Sequence, residues 1–168
     1  MLNKKMLEAL NTQINKEYWS AYFYLSMSAN FAHKGLEGFA SWFEMQFKEE
    51  QLHAEMFVKY ILSRNEKIEL KPIAEVRQNW DTLLEAFEDT LAHEQKVTEN
   101  INELYALAGK EKDYATQSFL KTFIDEQIEE EETVQLIIDK LKLIGDNGLG
   151  IYMLDKEVAS RKTTAIKA

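Results

Sequence analysis

The 168-residue chain contains no cysteine. That excludes cysteine-ligated zinc and iron–sulfur centres, and it lends nothing to a disulfide-stapled secreted domain. Proline occurs once and glycine six times. Few turn formers mean few turns and long elements, the composition of an all-α chain. Basic charge is also short: 20 Lys and Arg stand against 29 Asp and Glu, a formal net charge of −9. Nucleic acid is thereby a poor partner, because its phosphates need a basic face. An anionic membrane surface is disfavoured for the same reason. The acidic excess suits solubility and the attraction of cations. No apolar run approaches the ~20 residues that span a bilayer, and residues 1–19 lack the continuous apolar stretch of a secretory signal. A soluble cytoplasmic protein is expected.

What is present is core material. With 45% apolar and 11% aromatic residues, the chain can bury a core in one domain spanning 1–168. Asn3 can cap a first helix, along which Leu7, Leu10, Ile14, Ala21 and Tyr24 recur at helical spacing. It stops near His33, with Gly35 as the residue just past the end. A second helix is predicted from Glu37 to Ser63. Residues 65–80 show no helical stripe and form one long connection. A third helix starts with Asp81 as its N-cap and ends before Gly109. A fourth runs from Tyr114 to Leu143. The stretch "GDNGLG" (Gly145 to Gly150) is a break, and a short fifth helix covers 151–160. Residues 161–168 read as a frayed tail. Short links join helices one to two and three to four, and a long link joins the two hairpins. This predicts a four-helix bundle, about 3–143, with one long crossover connection and a short C-terminal helix.

Each long helix breaks its own apolar stripe near its middle. Glu17 does so on the first, Glu50 and His53 on the second, Glu94 on the third, and Gln127 and Glu130 on the fourth. In an antiparallel bundle these positions share one depth. A buried, ionised carboxylate is costly alone, and four together repel. Divalent cations would resolve both problems. Oxygen donors with one imidazole and no thiol favour iron or manganese over structural zinc. Glu50 and His53 lie three apart on one helix face, and Gln127 and Glu130 repeat the spacing. Carboxylate-bridged di-metal bundles combine a Glu from each of two helices with Glu-x-x-His from each of the other two. Here the fourth helix reads Gln-x-x-Glu instead.

Neighbouring residues have two readings. Tyr24, seven after Glu17, is either an ordinary core aromatic or a hydrogen-bond donor or redox partner beside the metals. Glu126 and Glu129 flank the seam on the fourth helix, as Glu49 does on the second. They are either part of a solvated acidic face with Asp125, Glu131 and Glu132 or an outer carboxylate cluster. Trp19, Trp42 and Trp80 read as packing residues. His33 and His93 have no partner that spacing identifies.

Taken together, "LNTQINKEYWSAYFYLSMS", "FEMQFKEEQLHAEMF", "HEQKVTENINELYALA", "KDYATQSFL", "DEQIEEEE" and "DKLKLIG" resemble the non-haem ferritins of bacteria and archaea over almost the full chain. The resemblance implies a di-iron ferroxidase centre that oxidises Fe(II) with O2 or H2O2 and stores Fe(III) as a mineral. It implies that Glu17, Glu50 and His53 hold the first iron and that Glu50 bridges to the second. Glu94 and Glu130, with Gln127 beside them, match the second site. Tyr24 matches the tyrosine next to the centre. Glu49, Glu126 and Glu129, with Glu130 shared, match a third iron site. A homo-oligomeric cage of twenty-four subunits is implied, with Ile151, Met153, Leu154 and Val158 packed around its fourfold axes. Bacterioferritin resembles the chain too, but it carries a second Glu-x-x-His and a haem-ligating Met. Gln127-x-x-Glu130 and Gln51 stand in those places, so no haem is expected. Thr122 occupies a place where bacterial members often carry Trp, which weakens any role for an aromatic electron donor on that helix. Two other readings are a non-catalytic cage subunit and a di-iron carboxylate oxidase acting on an organic substrate.

Overall fold

The computed structural model describes residues 2–160. The predicted tail, 161–168, lies outside them. Five helices occur: α1 (Lys4–His33), α2 (Glu37–Ser63), α3 (Leu83–Lys110), α4 (Tyr114–Ile144) and α5 (Gly148–Val158). No strand is found among the described residues.

Local chemistry sets the ends. The Asn3 side chain accepts from the Lys5 N–H and so caps α1. At its far end Gly35 takes φ 77°. There the Leu36 N–H reaches the Phe31 carbonyl at 3.0 Å and the Gly35 N–H reaches the Ala32 carbonyl at 3.0 Å. This double closure needs a left-handed residue, which glycine supplies without strain. Predicted boundaries move: α3 runs through Gly109, expected in the turn, to Lys110. Thr82, not Asp81, caps α3: its hydroxyl accepts from the Glu85 N–H at 3.1 Å, while Glu85 accepts from the Asp81 N–H at 2.9 Å. A Thr-x-x-Glu pair satisfies two orphan donors at once, which a lone Asp does not. The fifth helix begins at Gly148 rather than 151, because Asn147 accepts from the Gly150 N–H at 3.0 Å. The break is therefore shorter than its glycines suggest.

The topology is a four-helix bundle with one long crossover. The crossover lies along α1 and runs parallel to it. Glu69 N–H bonds to the Asn11 side chain at 2.9 Å, Asn15 to the Pro72 carbonyl at 3.1 Å, and Ser26 to the Arg77 carbonyl at 2.7 Å. It thus returns the chain to the end where α2 began, so α3 descends beside α1 in the opposite sense. Lys16–Asn100 at 2.7 Å and Ser20–His93 at 2.9 Å mark that antiparallel seam.

Apolar packing forms two clusters. One is built around Phe31, Phe39, Trp42, Phe43, Trp80 and Phe87. The other is built around Met6, Leu10, Phe57, Ile101, Leu120 and Phe123. Trp42 and Trp80 are buried as predicted for packing residues, and Trp19 is partly buried against the first cluster. The polar seam residues lie in sequence between the two clusters on every long helix.

The α5 helix buries Leu154 and Val158 on this bundle and leaves Leu149, Tyr152 and Met153 exposed. It docks on the first turn of α2, whose own N-cap, Leu36, makes no side-chain capping bond. Asp155, buried, accepts from the Phe39 N–H at 3.1 Å and caps the helix from a distance in sequence. A Cβ at Gly38 would sit 1.8 Å from the Asp155 carbonyl oxygen. Asp155→Ala is therefore expected to destabilise the fold by about 1–2 kcal/mol, the worth of a lost cap. Gly38→Ala should lower the melting temperature further, because it displaces α5 itself. Thermal unfolding by circular dichroism checks both; a Gly38→Ala chain as stable as the parent would refute the docking account.

Candidate metal centre

The site forms where helix midpoints meet. Glu17 on α1, Glu50 and His53 on α2, Glu94 on α3, and Gln127 and Glu130 on α4 are all buried, at 0–8% exposure. Nothing in a helix itself demands this; the apolar stripes on either side of each residue carry it inward. Glu17, Glu50 and His53 each offer one ligand atom, and those atoms lie within 4.8 Å of one another. Among the described residues this is the one group of three acid or imidazole side chains so placed. His53 Nδ1 is 3.4 Å from Glu50 Oε2. His53 Nε2 is 3.2 Å from Glu126 Oε2, an ion-pair contact whose angle is poor for a hydrogen bond. This buried set of carboxylates around one imidazole is a donor set that a divalent cation would satisfy.

Glu94 faces the same layer. Tyr24 Oη donates to Glu94 Oε1 and Gln127 Nε2 donates to Glu94 Oε2 at 3.0 Å. Tyr24 is fully buried in the aromatic core, and its hydroxyl serves a seam carboxylate. Glu130 accepts from Gln46 Nε2 at 3.0 Å. Of the predicted outer cluster, Glu49 is buried, Glu126 is partly buried and Glu129 is exposed. The three are not gathered to metal-ligand spacing in this conformation.

Electrostatics follow from burial. Glu17 is pushed up to about 8, first by desolvation and then by the charge of Glu50. Desolvation also raises Glu50 and Glu94, against opposing help from His53 for the former and from Tyr24 and Gln127 for the latter. Burial pulls His53 down, but the Glu126 and Glu50 carboxylates outweigh it and hold the imidazole well above its ordinary value. The Tyr24 phenol is raised by burial and by Glu94. Without a cation, the layer thus retains protons to limit its own charge.

The family model of the ferritin-like domain matches residues 7–144. A bacterial non-heme ferritin of Staphylococcus haemolyticus is 45% identical over 161 residues, covering 96% of this chain and 97% of that protein. The chain belongs to the ferritin family. A bacterial non-heme ferritin of Staphylococcus aureus is 40% identical over the same length. Among solved structures, the open pore ferritin of the hyperthermophilic archaeon Archaeoglobus fulgidus superimposes with a TM-score of 0.95 at 42% identity, covering 96% of this chain and all of that one.

Three side chains of this ferritin chain at the centre escaped sequence reasoning. His93 packs against Trp19, Phe23 and Tyr24 and bonds to Ser20 at 2.9 Å. Burial pulls it down to about 4, so it stays neutral beside the acidic layer. Gln13 and Gln46 are buried and hydrogen-bonded to Glu17 and Glu130. The available signal was position: each Gln lies one helical turn before a seam glutamate, Glu17 or Glu50.

Proposed function

We propose that this ferritin chain is an iron-storage ferroxidase that takes Fe(II) as substrate. The observation that carries the reading is the buried Glu17, Glu50 and His53 group with its ligand atoms within 4.8 Å, in a chain 45% identical to a bacterial non-heme ferritin. Glu17, Glu50 and His53 would bind one Fe(II). Glu50, at the centre of the layer, would bridge to a second held by Glu94 and Glu130 with Gln127 beside them. Carboxylates stabilise Fe(III) over Fe(II), so their field lowers the cost of oxidation. Two irons give up one electron each, and O2 takes the pair with two protons as H2O2; H2O2 takes a further pair from two more Fe(II), with two protons, to give two waters. The hard, oxygen-rich set has no thiolate to retain product, and ferric ions pass on to storage. Tyr24 would orient Glu94 by its hydrogen bond. Glu49, Glu126 and Glu129, with Glu130, would form a third site once iron draws them together. No haem is assigned. The protein would act in the cytoplasm as a homo-oligomeric cage, of twenty-four subunits by family analogy, in which the exposed Leu149, Tyr152 and Met153 of α5 find cover. Among the described residues no helix is long and apolar enough to cross a membrane.

Aerobic loading with Fe(II), followed by iron analysis and solution mass, tests this reading. The expected outcome is many irons per chain on a very large particle. About two irons per chain on a small oligomer would instead make it a di-iron oxidase. A large particle that mineralises no faster than free iron would make it a passive cage.

A further inference from the structure

We propose that Gln13 and Gln46 are positioning residues that each pin one oxygen of a metal-binding carboxylate and so set its orientation for the cation. The inference rests on the ferroxidase reading and deepens it. Gln13 on α1 is 2% exposed, and its Nε2 donates to Glu17 Oε1 at 2.8 Å. Gln46 on α2 is 1% exposed, and its Nε2 donates across the bundle to Glu130 Oε2 at 3.0 Å. Gln127 also donates an amide N–H to Glu94 at 3.0 Å, where Tyr24 holds the other oxygen. Three carboxylates on three helices therefore each receive one amide N–H.

An amide is the right donor for this place. Opposite an acceptor-only carboxylate it must present its NH2. It is neutral at every working pH, so it adds no charge to a layer that already holds too much. A lysine or arginine would supply the same hydrogen bond but would compete with the cation for the carboxylate. Serine and threonine are too short to reach a side chain one turn away or across the seam. Pinning one oxygen also fixes the carboxylate plane before metal arrives, which lowers the ordering cost of binding. The two glutamines serve different sites: Gln13 holds Glu17, which belongs with His53, and Gln46 holds Glu130, which belongs with Glu94. Their effects should separate.

The test uses the full-length, metal-free protein and Co(II), which stays divalent in air. Calorimetry and the visible Co(II) bands should resolve two binding steps per chain in the parent protein. Gln13→Met, equal in length but without a donor, should weaken one step by about 10- to 100-fold and spare the other. Gln46→Met should weaken the other step by a similar factor. Helix content should match the parent in both variants. Gln13→Asn and Gln46→Asn keep an amide but are one methylene too short, and they should lose the same steps; they carry the test if a Met variant does not fold. Parent-like affinity in both steps, or an equal loss in both steps from either glutamine, overturns the proposal. A parent protein that binds no Co(II) in this layer overturns the ferroxidase reading itself.

Discussion

Replacing Glu50 with alanine is expected to cut the initial rate of aerobic Fe(II) oxidation by about a hundredfold or more, with His53→Ala close behind. Glu50 is the group on which the others converge. It shares the ligand cluster with Glu17 and His53, it lies 3.4 Å from His53 Nδ1, and Glu94 acts on it electrostatically. If Glu50 bridges two irons as proposed, removing it should leave neither the bridge nor the paired two-electron transfer. The rate is read from ferric absorbance after Fe(II) is added in air; a Glu50→Ala protein that keeps the parent's initial rate sinks the assignment. The same change carries a second signature. Glu50 is held above the ordinary carboxylate range by burial, so in the metal-free chain it opposes folding as pH rises. Glu50→Gln, which keeps the shape and removes the charge, should leave metal-free stability at pH 8 equal to the parent's or higher while abolishing oxidation. A residue retained only for packing would lose both or neither.

The second large effect is a stability that depends on pH only when metal is absent. Glu17 rises to about 8 in the folded chain. A carboxyl raised on folding binds its proton more tightly in the native state, so its contribution is complete below the unfolded value near 4.5 and is lost as pH climbs through about 8. At about 1.4 kcal/mol per unit, Glu17 alone sets an upper limit of roughly 5 kcal/mol. Glu50 and Glu94 are raised and act in the same direction. His53 is raised as well; it stabilises below its unfolded value near 6.5, and that is lost as pH rises through its higher folded value. His93, pulled down to about 4, works the other way, since its neutral form is favoured and it costs stability as pH falls below 6.5. The unopposed window is therefore pH 6.5 to 8. Chelator-treated protein should show a denaturation midpoint that falls across that window. Zinc-loaded protein should not, because a bound cation replaces the protons as the charge that holds the layer together. A metal-free midpoint that is flat or rises from pH 6.5 to 8 would contradict these shifts.

Much of the centre was legible because polar residues broke a pattern. Glu50 and His53 alone are unremarkable on any helix. Their force came from Glu17, Glu94, Gln127 and Glu130 interrupting three other stripes at matching depth. Gln13 and Gln46 broke nothing noticeable. A glutamine between apolar residues reads equally well as a solvent-facing side chain, and periodicity of one helix cannot tell which neighbour covers it. His93 was hidden for the same reason: its partners, Ser20 and the α1 aromatics, are 73 residues or so away. The cap of α3 shifted from Asp81 to Thr82 because two bonds outweigh one, and α5 began early because Asn147 could cap it.

By itself the sequence determined four long helices, the crossover, and the depth at which acids enter the core. These follow from local quantities: helical period, turn formers, and the cost of burying charge. Only the tertiary structure decided which atoms meet. It set Tyr24 and Gln127 on opposite oxygens of Glu94, Gln46 on Glu130 across the bundle, and Asp155 on the bare first turn of α2. It also buried Glu49, left Glu126 partly buried and exposed Glu129. Such contacts depend on the rotation of each helix about its own axis and on rotamers chosen by packing, and a sequence period fixes the face of a helix but not the partner that the face meets.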